Sequence, residues 1–402
     1  MPWKGICQTT SRAGGTDLGG DYMRAAEIKE CCGCGNCEVA CPLGAVRLVL
    51  DNEGFYMPKI DEKKCVNCKK CVAVCPVTSN IEILKTQFAQ KSFYGQAKDL
   101  KLRASVTSGG IATLLAISII HKGGIVYGSV YKNNYRDVVV ERVDKIEDIE
   151  KLKGSKYTQS IKQNTFKNIK NDLEKKLQVL YVGLPCEIAA LKAYLQKKYT
   201  NLLTVDLVCH GPTSTYALRD YVDCYSSKKV KDIEFFSMRY KVKGKWTPYY
   251  IYLQTSKKIH KEIFWGSDFG YVFGRFARQS CYNCKFKNSN RYSDITLGDA
   301  WGMPKDAIFD DNTGISAILV NSSKGYDSIN ALENIVLVEG KSEDILRGNP
   351  NLVTNRKYNK EREIISRNLK KYGLKKTVTM LKPLKRRICD KIYNIKVQLL
   401  DI

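Results

Sequence analysis

The chain has 402 residues, 44% of them apolar, and a formal net charge of +25. This length and apolar content exclude a wholly disordered protein and predict two or more globular units. The charge is uneven, with 15 Lys and Arg against 4 Asp and Glu in residues 356–402, and no nucleic-acid recognition motif accompanies it, so nucleic acid is not an expected partner.

The first 25 residues are rich in Gly, Ser and Thr and lack the apolar stretch of an export signal. They read as a loose arm on a cytoplasmic protein. Sixteen cysteines would suggest disulfides in an exported chain, but most stand at metal-ligand spacing, which predicts a reducing compartment.

Residues 31–42 read CCGCGNCEVACP and residues 65–76 read CVNCKKCVAVCP. Cys31, Cys34, Cys37 and Cys41 match Cys65, Cys68, Cys71 and Cys75 one for one, and a proline follows each set. In C-x2-C-x2-C-x3-C-P spacing, three thiolates wrap one side of an iron–sulfur cube while the fourth points to the neighbouring cube. The expected ligand sets are therefore crossed: Cys31, Cys34, Cys37 and Cys75 for one [4Fe–4S] cluster, and Cys65, Cys68, Cys71 and Cys41 for the other. Zinc uses pairs of ligands around a single tetrahedral ion and has no need of eight thiolates in this pattern. Between the motifs, AVRLVLDNEGFYMPKI holds two apolar-rich runs around Asp51-Asn52-Glu53-Gly54 and predicts a hairpin. Residues 26–82 thereby resemble the bacterial two-cluster ferredoxin. Cys32 is not required by the spacing and reads as a small buried filler.

From about 92 to 340 strand-like and helix-like patterns alternate. GGIVYGSVY, RDVVVERV, LQVLYVG, LLTVDLV, DITLGD and GISAILVNS read as strands, while 162–177 and 187–198 read as amphipathic helices. The apolar run IATLLAISII at 111–120 is too short to span a bilayer and ends at His121-Lys122-Gly123-Gly124, so it predicts a buried helix. An α/β sheet with antiparallel additions at 231–263 is expected, its ligands gathered at the carboxyl ends of the strands.

Two cysteines stand where such strands end: Cys186 in YVGLPCEIAAL and Cys209 in DLVCHGP. Near a helix start, amide donors favour a thiolate or an anionic cluster. RQSCYNCKF adds Cys281 and Cys284. Together the four sulfurs suffice for a third [4Fe–4S] cluster or for zinc, and a cluster is expected beside a module that already moves electrons. The blander reading is that Cys186 and Cys209 are buried small residues and the pair a loop feature. Ser108-Gly109-Gly110 precedes the buried helix and could admit a phosphate to free amides. KLKGSKYTQS supplies Gly154, Ser155, Lys156, Tyr157, Gln159 and Ser160. Neither stretch is specific alone, and the absence of G-x-G-x-x-G leaves a Rossmann nicotinamide site unsupported.

In order, the ferredoxin motifs, TSGGIATLL, GSKYTQS, GLPCEIAAL, DLVCHGP, CYNC and DITLGDAWG resemble the coenzyme F420 hydrogenase/dehydrogenase beta-subunit family over about 27–340. The resemblance implies an iron–sulfur flavoprotein in which FAD exchanges hydride with a small reducible substrate and clusters carry single electrons. It makes Ser108, Gly109, Gly110, Gly154, Ser155, Lys156, Tyr157, Gln159 and Ser160 candidates for the FAD site, and Cys186, Cys209, Cys281 and Cys284 candidates for a cluster beside it. Glu187 stands where many relatives have Gln, and Thr213 interrupts the small-apolar step before Ser214, so the substrate stays open between the deazaflavin and another reducible molecule. Ferredoxin-fused relatives also occur beside polysaccharide-building enzymes.

The expected organisation is a flexible arm (1–25), a 2[4Fe–4S] ferredoxin domain (26–82), a mixed α/β FAD-binding domain (91–345) and a basic helical tail (346–402), that is, α+β followed by α/β. The tail could lie on an acidic membrane or an acidic protein, or be a solvated helix pair. A redox partner protein or ferredoxin is expected. His210 could donate a proton to a reduced substrate or simply hold its loop. The alternatives are an electron-transfer subunit with no substrate of its own and a non-redox protein with structural metal.

Overall fold

The computed structural model describes residues 24–79, 90–226, 233–304 and 312–400. The expected N-terminal arm therefore lies almost wholly outside the described residues; Ala25 already opens a short 3-10 helix, Ala25–Glu27, and is buried. Strands β1 (Val46–Leu50) and β2 (Tyr56–Ile60) make the antiparallel hairpin between the cysteine motifs, with Val46 opposite Ile60. At its turn the Asp51 carboxylate accepts the N–H groups of Glu53 and Phe55, each at 2.9 Å.

The alternating segment supplies β3 (Lys91–Ala97), β4 (Ile125–Lys132), β5 (Asp137–Val143), β6 (Val179–Gly183) and β7 (Leu202–Leu207). Of the expected antiparallel additions at 231–263, residues 233–263 do not extend that sheet but form one of their own, β8 (Ile233–Tyr240), β9 (Tyr250–Thr255) and β10 (Ile259–Ile263), all antiparallel. Then β11 (Ile295–Asp299), β12 (Ser316–Val320) and β13 (Ile335–Glu339) return to the main sheet, whose order is β13-β3-β12-β11-β7-β6-β4-β5. Each of the six runs read as strands contains one. β4, β6, β7 and β11 are mutually parallel, so their carboxyl ends, Lys132, Gly183, Leu207 and Asp299, share one edge of the sheet. β3 is antiparallel to β12, itself antiparallel to β11, and so ends at that edge too, at Ala97.

The sheet is covered on both faces, which is why its central strands are continuous apolar runs. Alternate residues divide between the layers. Val126 and Leu180 face the helix Ile111–His121 through Leu115 and Ala116, whereas Ile125, Tyr127, Val179 and Tyr181 face the helices Thr165–Glu174 and Pro185–Leu195 through Phe166, Ile169, Ile188 and Leu191. Cys34 of the first cysteine motif packs in this second layer. Asn36 pins the motif there, its amide donating to Ala190 O at 2.8 Å and Val74 O at 2.7 Å.

The hairpin turn docks on the three-stranded sheet and its helices. Phe55 is buried against Phe276, and Thr215 donates its N–H to Gly54 O at 3.0 Å. Of the basic C-terminal segment, the helices Glu361–Tyr372 and Leu374–Leu381 are part of this core: Ile365, Leu369, Leu374 and Val378 are buried beside Phe269 and Val272. Arg362 grips the Glu53 carboxylate of the hairpin with both terminal nitrogens, at 3.0 and 2.6 Å. The last helix, Leu384–Leu400, instead leaves Leu384, Ile388, Ile392 and Ile395 exposed. Among the described residues no helix is long and apolar enough to cross a membrane. The fold is mixed α/β, with a ferredoxin-like region at the N-terminus and helices at the C-terminus.

Candidate functional site

Cys186 and Cys209 emerge at the carboxyl edge because each follows a strand that ends there. β6 gives way to Leu184 and then Pro185 at the first position of a helix, where its missing N–H costs nothing. Cys186 is next in line. Glu187 turns back, its Oε2 accepting the Leu184 N–H at 2.9 Å. After β7 the chain passes through Cys209 and bends at Gly211, whose φ of 93° suits glycine. A side chain at Gly211 would also meet Cys281 Sγ at 3.3 Å, so this glycine lets the two cysteine segments approach. Cys281 sits on the 3-10 helix Gln279–Asn283, and Cys284 follows it directly.

All four cysteines line one cavity, together with Cys32, Gln159, Lys162, Arg278 and Lys287. The Gly211 N–H donates to Cys209 Sγ at 3.3 Å, the kind of amide–sulfur contact that tunes a cluster. Burial pushes the Cys209 thiol up to about 11 and the Cys281 thiol up to about 12; as free thiols they are protonated at neutral pH, and each metal bond displaces a proton. Arg278 is only 3% exposed, and its Nε has no hydrogen-bond partner among the described residues. Lys162 is a second buried cation, paired with Glu187 and donating to Ser160 O at 2.7 Å. Five thiols, amide donors and buried cations fit an anionic, thiolate-bound iron–sulfur cluster.

Cys32 is not the inert filler expected. It lines the cavity with Cys186 and packs in the same layer as Cys34, so it stands between the first cysteine motif and the cavity. Doubled cysteines at the motif's head were the only sequence signal. His210 accepts the Asn351 amide at Nδ1, 3.0 Å away, and lies 5.2 Å from the Phe273 ring. Burial, then Arg356 and Lys287, push its imidazole down to about 4, so it is neutral and holds its loop. Thr213 is buried, its hydroxyl donating to Phe276 O at 2.7 Å.

The ferredoxin-like motifs fold as two equivalent loops. Gly33 and Gly35 have φ of 66° and 89°, and the matching Asn67 and Lys69 have 50° and 58°; a short helix follows each, Asn36–Ala40 and Lys70–Ala73. Cys41 lines a cavity with Cys65, Cys68 and Cys71, not with its own loop. The Gly33 N–H donates to Cys31 Sγ at 3.3 Å and the Ala45 N–H to Cys41 Sγ at 3.2 Å. Among the described residues every cysteine is free of a disulfide, and no three His, Cys, Asp or Glu side chains are gathered as a single-ion site.

The other expected site residues divide between two places. Ser108, Gly109 and Gly110 lie at the carboxyl edge beside β3 and β12: Ser108 donates to Ile315 O at 2.8 Å, and Ala97 N–H donates to Gly109 O at 2.7 Å. A Cβ on Gly109 would come within 2.3 Å of Gly95 O, so strand contact alone demands glycine there. Gly110 opens the helix Ile111–His121 without a side-chain cap, leaving its first-turn amides to another acceptor. These three do not line the cysteine cavity. Gly154 through Ser160 run towards it, past the Cys209 loop, where Thr213 N–H donates to Tyr157 O at 2.9 Å. Lys156 is not an open cation: its ammonium donates to the carbonyls of Lys151, Leu152, Lys153 and Gly154 at 2.7 to 3.3 Å. Ser155 offers its carbonyl to the Tyr131 hydroxyl at 3.4 Å, and the Tyr157 ring lies 4.6 Å from that of Phe273. Gln159 belongs to the ferredoxin contact, donating to Gly33 O at 2.8 Å and accepting Tyr56 N–H at 2.9 Å. Ser160 donates to Glu187 Oε1 at 3.2 Å.

A residue without sequence signal stands at the same edge. Arg239 of β8 is buried, bonds Asp299 Oδ2 at 2.6 Å and lies over the Tyr249 ring, while its Nε and Nη2 have no partner among the described residues.

Residues 177–344 match the family model for the C terminus of the coenzyme F420 hydrogenase/dehydrogenase beta subunit, and residues 30–79 match a 4Fe-4S dicluster domain. The chain thus carries two matched segments, one similar to a 4Fe-4S dicluster domain and one similar to the C-terminal domain of the beta subunit. A second 4Fe-4S dicluster model matches residues 57–118. Among solved structures, a chain of the xenon-derivatized F420-reducing [NiFe] hydrogenase complex from Methanosarcina barkeri is similar at 16% identity with a TM-score of 0.43, covering 74% of this chain and 91% of that one. The search of curated proteins found no match. The matched beta-subunit and dicluster segments are those of an iron–sulfur protein of the oxidoreductase type.

Proposed function

We propose that the chain is an iron–sulfur flavoprotein oxidoreductase that passes electrons between three [4Fe–4S] clusters and FAD and exchanges hydride with a small reducible molecule. The observation that carries this reading is the meeting of Cys186, Cys209, Cys281 and Cys284, from three separate segments, around one cavity that Cys32 links to the first cysteine motif. Cys31, Cys34, Cys37 and Cys75 would hold one cluster, Cys65, Cys68, Cys71 and Cys41 the second, and the cavity cysteines the third. FAD, when bound, would supply two-electron hydride chemistry that the clusters resolve into single electrons.

The chain's own residues bind and orient. The uncapped amides after Gly110, with Ser108 and Gly109 setting the turn, suit the FAD pyrophosphate. Gly154, Ser155 and Tyr157 form the adjoining wall, stiffened by Lys156, and the open nitrogens of Arg239 suit a polar edge of FAD. Gln159 and Ser160 tie this wall to the ferredoxin-like region and to Glu187. The substrate would be the deazaflavin F420 or another reducible molecule, including one belonging to polysaccharide building.

The test is anaerobic purification followed by flavin analysis and by mixing with reduced F420, reduced nicotinamides and reduced ferredoxin. Bound FAD bleached by a small-molecule donor is the expected result. Flavin bleached only by a carrier protein would favour an electron-transfer subunit without its own substrate, and protein free of flavin would overturn the reading. Cys281→Ser should lower bound iron by roughly one third, the share of one cube in three; unchanged iron would remove the third cluster.

A further inference from the structure

We propose that the face around Cys68 is the docking surface for a small acidic one-electron carrier protein. This rests on the cluster reading above and adds where electrons cross the protein surface. The cavity lined by Cys41, Cys65, Cys68 and Cys71 opens outward: Cys68 is exposed, and Val66 and Leu43 at its mouth are 68% and 49% exposed. In the first motif, by contrast, Cys34 and Cys37 are buried.

Cations surround this apolar centre. Lys63, Lys64, Lys69 and Lys70 are all exposed, and Arg24 lines the same cavity. Among the described residues the adjacent carboxylates are fewer than these cations: Asp61 pairs with Lys64 at 3.6 Å, and Glu62 and Glu27 both pair with Arg24, at 2.6 and 2.9 Å. The balance of the rim is therefore positive. A small apolar centre inside a charged rim is the composition of a transient interface, and a basic rim steers an acidic partner at high rates that fall with salt. The place of the surface selects the partner's chemistry as well. A molecule seated on Val66 and Leu43 has its redox group beside Cys68, so the occupant is an acidic iron–sulfur or flavin carrier. In the transfer the reduced carrier loses one electron and the oxidised cluster gains it; no bond is made and no proton moves.

The experiment uses the full chain, purified without oxygen, and an acidic bacterial-type ferredoxin as the probe, reduced beforehand and mixed rapidly. Between low and moderately high salt the rate of cluster reduction should fall roughly tenfold or more, and Lys63→Glu with Lys70→Glu should cause a comparable fall at low salt. Bound iron and the extent of reduction by dithionite should stay unchanged in that variant. Cytochrome c, a basic carrier, should exchange electrons slowly at low salt. Should the double variant lose iron, the neutral pair Lys63→Gln with Lys70→Gln, together with the wild-type salt profile, gives the same readout. A ferredoxin rate indifferent to salt and to both substitutions, in protein that dithionite still reduces, overturns the docking surface and leaves the cluster reading intact. Protein without iron overturns both.

Discussion

CCGCGNCEVACP and CVNCKKCVAVCP fold alike and face opposite ways. Both loops place left-handed residues at the same two positions, and Cys41 of the first lines the cavity of Cys65, Cys68 and Cys71 in the second. The first loop lies under the rest of the molecule. A Cβ on Gly33 would come within 2.4 Å of Gln159 Nε2, 2.7 Å of Tyr56 O and 2.8 Å of Arg278 Nη2. At the equivalent place in the second loop stands Asn67, exposed. Ligand spacing thus sets what a loop can bind, while the residues between the ligands set where it can sit: glycines admit a neighbour's backbone, and Asn and Lys keep the second loop in water.

Substitutions on the two sides should differ accordingly. The largest loss is expected beneath the buried loop, where Glu187→Gln leaves Lys162 an unpaired buried charge; about 3–5 kcal/mol of stability should disappear, read from denaturant unfolding of the anaerobic protein. Gly33→Asn, which writes the second motif's residue into the first, should cost about 2–3 kcal/mol through overpacking and make the hairpin and first loop more open to protease. Gln159→Ala keeps the backbone but leaves the Tyr56 N–H and Gly33 O without their partner, for about 1–2 kcal/mol in the same assay. The reciprocal exchange, Asn67→Gly, should stay within about 1 kcal/mol, because it changes chain freedom and little else. Equal losses for Gly33→Asn and Asn67→Gly would erase the distinction between a docked and an exposed loop.

The elements most legible in the sequence were those whose cause is local. Cysteine spacing carries the two equivalent loops, turn chemistry at Asp51–Gly54 carries the hairpin, and apolar runs carry β4, β6, β7, β11 and β12. β3 escapes such a reading, because KSFYGQA lacks a distinctive pattern and becomes a strand by pairing with β12 on one side and β13 on the other. The roles of Cys32, Gln159 and Arg278 depend on contacts across more than a hundred residues, which no spacing encodes. The basic C-terminal segment differs: its charge suggested a solvated or surface-bound tail, but Ile365, Leu369, Leu374 and Val378 seat its first two helices in the core. At Lys156 composition shows a cation but not its surroundings, the carbonyls of its own chain to which it donates.

Iron and acid-labile sulfide counted per chain in protein kept free of oxygen decide whether these cysteines cage inorganic cubes. Three cubes predict about twelve atoms of each. Zinc in place of iron, or protein with neither iron nor sulfide, would contradict the relay.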